Sequence, residues 1–127
     1  MPAPDHCTIM GVMGQYFDGL YRADPPTLRS VFHNDLRYVN ATRSGYVAKD
    51  LESYLDEVGK RVPPDETGDQ RNPKVLQIVP ASDRVMFVRA TMSMMGRDYD
   101  DALILIETDD GWKIVAKIFS HTPMGEG

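Results

Sequence analysis

Residues 84–122 read RVMFVRATMSMMGRDYDDALILIETDDGWKIVAKIFSHT, and their pattern predicts three long consecutive strands. A tight turn at Asp109-Asp110-Gly111 joins the last two of them into an antiparallel pair. Two of the strands are apolar on both faces. Because a sheet of this kind cannot leave both faces in water, we predict that helices cover one face and a partner chain covers the other.

The sequence before this stretch predicts three helices, with Asp24 and two prolines at the start of the second and Asp50 at the start of the third. Apolar residues at helical spacing define each helix, and alternation defines each strand. Since the helices come early and the long strands late, the fold class is α+β. The predicted elements are helices at about 5–23, 25–33 and 51–62 and strands at about 36–40, 46–48, 74–80, 84–95, 98–108 and 112–121.

Length and composition predict one domain, residues 1–127, with an ordinary globular content of 42% hydrophobic and 26% charged residues. A net charge of −5 argues against nucleic acid and anionic membranes as partners. No apolar run reaches the roughly 18–20 residues that a bilayer requires. The single cysteine, Cys7, and the lack of a basic, apolar leader favour a cytoplasmic protein.

Four segments of the sequence together suggest a family. Three of them are residues 16–20 (YFDGL), residues 31–35 (VFHND), and residues 54–58 (YLDEV) with Pro63. The fourth and most specific runs from DALIL at 101–105 into GWKIVAKIF at 111–119. On these segments the chain resembles the nuclear-transport-factor-2-like superfamily, and within it the group called putative lumazine-binding proteins. It departs from that group at Asn34, where proline is usual, and at Ala102, where a bulky residue is usual.

The resemblance implies a cone-shaped fold in which three N-terminal helical segments pack on a curved, mostly antiparallel sheet. It implies a homodimer through the outer sheet face and an apolar cavity in each subunit. Related folds act as ketosteroid isomerases, SnoaL-type polyketide cyclases and scytalone dehydratases, or only bind ligands. A flat, heterocyclic or otherwise hydrophobic ligand is expected, and Ala102 is expected to widen a pocket or relax an interface.

Asp101 is the main catalytic candidate. Strand alternation places it on the same face as Leu103 and Leu105, so its carboxylate is desolvated if that face is internal. Desolvation raises a carboxylate's pKa, which suits a general base or a neutral hydrogen-bond donor. Alternatively, Asp101 lies at a rim or dimer seam and pairs with Lys117 or Arg97. A shift of one residue in register would turn Asp100 inward instead.

Tyrosines and methionines supply the predicted pocket lining. A tyrosine hydroxyl in an apolar cavity can donate to a carbonyl or a developing oxyanion, although a buried tyrosine is also an ordinary core residue. Flexible methionines on one face of a strand suit an adaptable pocket, and equally a core. The predicted lining residues are Tyr16, Tyr38, Tyr54, Met92 and Met94.

No metal or cofactor is predicted. His6 and Cys7 have no partner at metal-ligand spacing, and no glycine-rich nucleotide loop follows a strand. His33 is expected at the end of the second helix, where it can bond the last carbonyls. His121, at the end of the last strand, is expected at the cavity mouth or in solvent.

Three functions are compatible with these features. The first is a small-molecule-binding protein with an apolar cavity for a flat or ring-bearing ligand. The second is a cofactor-free lyase or isomerase of the SnoaL or ketosteroid isomerase type, with Asp101 as the general base. The third is a protein-interaction module with a vestigial cavity. A shared fold cannot choose between them, because function depends on the site.

Overall fold

The structure, a computed structural model, describes residues 6–43 and 45–123. The helices come first and the long strands last, so the predicted α+β class is confirmed. The elements are α1 (His6–Tyr21), α2 (Pro25–Val31), β1 (Phe32–Asn40), β2 (Val47–Lys49), α3 (Leu51–Gly59), a short 3-10 helix (Pro64–Glu66), β3 (Lys74–Ser82), β4 (Val85–Met94), β5 (Arg97–Thr108) and β6 (Gly111–Pro123).

Both helices and strands begin or end a few residues away from their predicted bounds. Asp5, the predicted start of the first helix, and Ser44, between the first two predicted strands, lie outside the described residues. Helix α3 ends at Gly59 rather than 62, because the backbone N–H of Lys60 turns back to the carbonyl of Glu57. Val62, the last residue of the predicted helix, is therefore 65% exposed.

The strands form one six-stranded curved sheet in the order β2-β1-β6-β5-β4-β3. Strand β1 runs parallel to β6, and every other pair is antiparallel, which confirms a mostly antiparallel sheet. At the predicted turn, Asp109 and Asp110 connect β5 to β6, and Gly111 takes a positive φ of 101°. Glycine suits that position because it has no Cβ to clash there.

The three helices pack on one face of this sheet and bury its inner side chains. Helix α1 approaches α2 closely at Gly19, where an added Cβ would lie 2.6 Å from the Cδ2 of Leu28. The inner face of β4 is formed by Met86, Val88, Ala90, Met92 and Met94, as alternation predicts. Within the described residues, no helix is long and apolar enough to span a membrane.

The opposite face of the sheet carries an apolar band that no described element covers. Val79 pairs with Phe87, Phe87 with Ile104, and Ile104 with Ala116 across four strands. Ala102 pairs with Ile118, whose side chain is 44% exposed. Directly paired residues share a face, so these side chains form one surface. The outer patch is Val79, Phe87, Ala102, Ile104, Ala116 and Ile118.

Candidate functional site

A bulge in β6 determines which of its side chains face the interior. The pairing of β5 with β6 skips Val115. Before this point the buried residues of β6 are Trp112 and Ile114, whereas after it they are Lys117 and Phe119. Because strand residues alternate between faces, one extra residue reverses the alternation and turns Lys117 inward.

Lys117 belongs to a buried cluster with Tyr16 of α1 and Asp101 of β5. The hydroxyl of Tyr16 donates a hydrogen bond of 2.5 Å to Oδ2 of Asp101. The Nζ of Lys117 donates a hydrogen bond of 2.6 Å to the same hydroxyl. The exposed fractions of Tyr16, Asp101 and Lys117 are 0%, 1% and 4%. The tyrosine hydroxyl therefore links a buried acid to a buried base.

Burial shifts the proton affinities of all three groups. It raises the pKa of the Asp101 carboxyl, while the charge of Lys117 and the hydrogen bond from Tyr16 limit the rise. It lowers the pKa of the Lys117 ammonium, against the attraction of Asp101. It also places the pKa of Tyr16 well above its ordinary value, and the neighbouring Asp101 adds to this. Burial therefore opposes the charged forms of Lys117 and Asp101, whereas the attraction between the two groups favours them.

A cavity of about 290 Å³ lies beside this cluster, between α3 and strands β1, β2, β4, β5 and β6. Lys117 lines the cavity and Asp101 does not. Of the cluster, the lysine is thus the member that a bound molecule would meet.

One side of the cavity is a continuous series of aromatic rings. The ring of Tyr54 stacks on Tyr38 with centroids 4.4 Å apart, and Phe119 lies 5.1 Å from Tyr38. Tyr99 follows at 5.8 Å from Phe119, and His121 at 5.5 Å from Tyr99. All five residues line the cavity, and we call them the ring wall.

The remaining lining is partly apolar, at Val47, Met94 and Met95, and its charged side chains are mostly basic. Four basic side chains line the cavity, namely Lys49, Arg61, Arg97 and Lys117, against one carboxylate, Glu57. The sequence predicted an apolar cavity, which describes the ring wall and Met94 but not these charges. Pattern alone misses them because Lys49 and Arg61 flank α3, and Arg97 opens β5, at ends of elements where alternation gives no direction.

A family comparison agrees with this architecture. The model of the family described as "Putative lumazine-binding" matches residues 4–120. The chain belongs to that family. The resemblance seen in its sequence segments is thereby confirmed, together with membership of the nuclear-transport-factor-2-like superfamily. Among curated proteins, none matches this sequence.

Solved structures share the fold at low sequence identity. A nuclear-transport-factor-2-like protein of unknown function from Shewanella baltica OS155 aligns with a TM-score of 0.81 at 17% identity, covering 93% of this chain and 94% of that one. A ketosteroid isomerase-like protein from Erwinia carotovora atroseptica gives 0.69 at 16%, covering 92% and 96%. A domain of unknown function with a cystatin-like fold from Nostoc punctiforme gives 0.74 at 12%, covering 99% and 82%. At these identities the likeness shows the fold and no activity.

Some of the predicted site residues line the cavity, and others lie in the core. Tyr38, Tyr54 and Met94 line the cavity. Tyr16 is buried behind it, because its hydroxyl is held by Asp101 and Lys117. Met92 lies in the hydrophobic core, two residues from Met94 on the same face of β4. Neither Tyr16 nor Met92 forms part of the cavity wall.

Of the two neighbouring aspartates of β5, Asp101 faces the interior and Asp100 does not. Asp100 lies on the outer face, 63% exposed at its side chain, with Oδ1 3.8 Å from a guanidinium nitrogen of Arg89. The sequence named Lys117 and Arg97 as alternative partners of Asp101. Lys117 is the partner, and it acts through Tyr16.

Two of the three histidines, His33 and His121, lie on strands. His33 was expected at a helix end, but β1 begins at Phe32, so that expectation is wrong. Its Nδ1 instead accepts a hydrogen bond of 2.9 Å from the backbone N–H of Asp35. His121 lines the cavity as the last member of the ring wall. In the described part of the chain, no group of three His, Cys, Asp or Glu side chains is placed to hold a metal ion.

Proposed function

We propose that this chain is a small-molecule-binding protein whose cavity takes a flat, ring-bearing ligand. The observation that carries this proposal is the ring wall, in which each ring centroid lies within 6 Å of the next. Aromatic rings attract one another at such distances in stacked and edge-to-face arrangements. A planar ligand would extend the series by one ring and replace water on its surface.

The size of the cavity limits the ligand. Its volume of about 290 Å³ lies at the lower end of the range for small-molecule sites, which is roughly 300–1,000 Å³. One ring or two fused rings with small substituents fit this space. A long lipid or a peptide does not.

A titration with a neutral two-ring compound, 2-naphthamide, tests the proposal by calorimetry. We expect one molecule bound per chain, and roughly fivefold weaker binding in Tyr38→Leu, because a ring contact is lost while apolar volume is kept. Tyr46→Leu is the matched control, since Tyr46 is 70% exposed and does not line the cavity. Equal weakening in both variants would contradict a role of the ring wall. Native mass spectrometry of freshly purified protein would also reveal a retained ligand.

A second candidate, a cofactor-free lyase or isomerase, is favoured by the cluster of Tyr16, Asp101 and Lys117. In this proposal a neutral Lys117 amine takes a proton from the carbon beside a ligand's carbonyl group. The ammonium then gives a proton to the Tyr16 hydroxyl, whose own proton passes to the ionised carboxylate of Asp101. The proton thus ends on Asp101, and the negative charge ends on the enolate of the ligand. Asp101 would thus act as a general base through two other side chains rather than by contact with the ligand.

Exchange of the acidic protons of 2-tetralone for deuterium tests this candidate by NMR, with the buffer rate subtracted. We expect catalysed exchange in the wild type and at least about a hundredfold loss in Asp101→Asn, within the range that a positioned base contributes. Asp100→Asn is the control on the outer face. Exchange at the buffer rate in the wild type would exclude this activity for a cyclic ketone.

The outer patch supports a further part of the proposal, a homodimer formed sheet to sheet. The patch spans four strands and includes Ile118, which is 44% exposed in the single chain. A groove of about 360 Å³ beside Ala102 lies on the same face. A second copy of the chain offers the same apolar surface, and such self-complementary contacts are typical of two-fold dimers.

A further inference from the structure

The charge of the cavity differs from that of the whole chain. The chain carries a net charge of −5, whereas the cavity lining has four basic side chains and one carboxylate, an excess of three positive charges. Even if Lys117 is neutral, the excess stays positive. Since charges that face one enclosed space add to a common potential, the cavity attracts anions although the protein surface repels them.

The single carboxylate is already neutralised. Oε2 of Glu57 accepts a hydrogen bond of 2.6 Å from Nζ of Lys49 and lies 4.0 Å from a guanidinium nitrogen of Arg61. Two cations share this carboxylate. Glu57 therefore has little capacity left to offset the other positive charges of the wall.

Neither of the other two basic residues contacts a carboxylate directly among the described residues. Arg97 forms no ion pair within 4.0 Å among the described residues, and the hydrogen bond of Lys117 goes to the hydroxyl of Tyr16. The Nζ of Lys117 also lies 5.3 Å from the centroid of Phe119 in the ring wall. Lys117 is buried without a direct negative contact, and the exposed Arg97 has no negative partner that an anion in the cavity would have to displace.

We infer that the natural ligand is an anion, a planar one- or two-ring compound bearing a carboxylate or an equivalent acidic group. The inference rests on the proposed function, since it assumes that the ring wall holds the flat part of the ligand. The acidic group then lies against the basic residues of the lining. A planar carboxylate matches the forked guanidinium groups of Arg61 and Arg97, which can donate two parallel hydrogen bonds.

Two probes of the same shape distinguish the contribution of charge to binding affinity from that of ring contacts. Calorimetric titrations compare 2-naphthoate with 2-naphthamide, which share both rings and differ in the anionic group. We expect 2-naphthoate to bind at least about tenfold more tightly, since charge-assisted hydrogen bonds are about twice as strong as neutral ones. Its affinity should also fall as salt is added, while that of the amide should not.

Single substitutions test which side chains bind the anionic group of the probe. Arg97→Gln and Arg61→Gln should each weaken 2-naphthoate roughly fivefold to tenfold and change 2-naphthamide less than twofold. Arg89→Gln is the matched control, because it removes the same charge from the outer face. Circular dichroism and thermal melting of each variant would show that the fold is kept.

The outcomes separate the two proposals. Equal affinity for both probes, or equal effects of Arg89→Gln and Arg97→Gln, would overturn the anionic ligand and leave the ring-binding function standing. Binding of neither probe would overturn both. Tighter binding of 2-naphthoate that is lost in the Arg61 and Arg97 variants would support both.

Discussion

Lys117 reaches Asp101 only by way of the Tyr16 hydroxyl, which accepts a hydrogen bond from the lysine and donates one to the carboxylate. The second oxygen of Asp101, Oδ1, is buried and has no hydrogen-bond partner among the described residues. A buried polar network in which one atom is unsatisfied costs stability, and its members depend strongly on one another. The cluster is therefore better explained by a role at the cavity than by stability.

We expect the two charged members of the cluster to be strongly coupled. Asp101→Asn or Lys117→Met alone should lower the free energy of unfolding by about 3 kcal/mol, because each leaves a buried charge without its counterpart. The double variant should lose about 1–3 kcal/mol less than the sum of the single losses. Urea unfolding measures all four proteins. Additive losses would show that the two groups do not interact.

Asp100→Asn provides the control for this cycle. Asp100 is next to Asp101 in the chain, but its side chain is exposed on the outer face. We expect a change within about 0.5 kcal/mol, as for other surface substitutions. A loss as large as that of Asp101→Asn would point to a general effect of charge on β5 rather than to the cluster.

The depressed pKa of Lys117 predicts a pH dependence of stability. Burial lowers this pKa in the folded chain, so the unfolded chain binds the proton more tightly. Stability therefore rises with pH between the folded pKa of Lys117 and its ordinary value, by up to about 1.4 kcal/mol per pH unit. We expect the unfolding free energy of the wild type to increase, relative to that of Lys117→Met, as the pH is raised from 7 to 9.5. A constant difference would mean that burial leaves this pKa unchanged.

Regular patterns in the sequence predicted most of the fold. The alternation of Leu103 and Leu105 placed Asp101 inside, and its burial agrees with that prediction. The turn at Asp109-Asp110-Gly111 fixed the pairing of the last two strands. These features depend on local spacing, which the amino-acid order shows directly.

The site was harder to predict, because it depends on a break in a pattern. Trp112 and Ile114 face inward, so strict alternation would turn Ile118 inward and Lys117 outward. The skipped residue at Val115 reverses this, and no proline or glycine marks it. The mixture of Lys117 with apolar neighbours in IVAKIF was the available signal. The contact of Lys117 with Tyr16 spans 101 residues and has no local signature.

Replacing two glycines of α1 by alanine should change the stability of the protein in opposite directions. A Cβ at Gly14 would meet nothing within 4 Å, so Gly14→Ala should stabilise the protein by up to about 1 kcal/mol through helix propensity. A Cβ at Gly19 would lie 2.6 Å from Cδ2 of Leu28, so Gly19→Ala should destabilise it by roughly 1–3 kcal/mol. Thermal and urea unfolding compare the two. Stabilisation by both substitutions would mean that α1 and α2 are less closely packed than described.

A charge in the outer patch should break the proposed homodimer. Ile118→Asp places a carboxylate on the exposed apolar face, where pairing with a second copy would bury it without a partner. We expect light scattering after size-exclusion chromatography to show a dimer for the wild type and a monomer for this variant. Val62→Asp is the control. Like Ile118, Val62 is an exposed branched apolar side chain, but it lies outside the sheet. A monomeric wild type at micromolar concentration would contradict the dimer.

His121 should make anion binding dependent on pH. Partial burial, and next the positive charge of Arg97, lower the pKa of His121 below its ordinary value, so the ring is neutral at pH 7.5. As pH falls through this lowered pKa, the ring gains a positive charge at the cavity wall, which attracts an anionic ligand. The probe 2-naphthalenesulfonate keeps its own charge over this range. We expect its affinity to rise roughly twofold to fivefold on acidification in the wild type and to stay constant in His121→Gln. If His121→Gln kept the full rise in affinity, another group would be responsible. If the affinity for neutral 2-naphthamide rose equally, the effect would not be electrostatic.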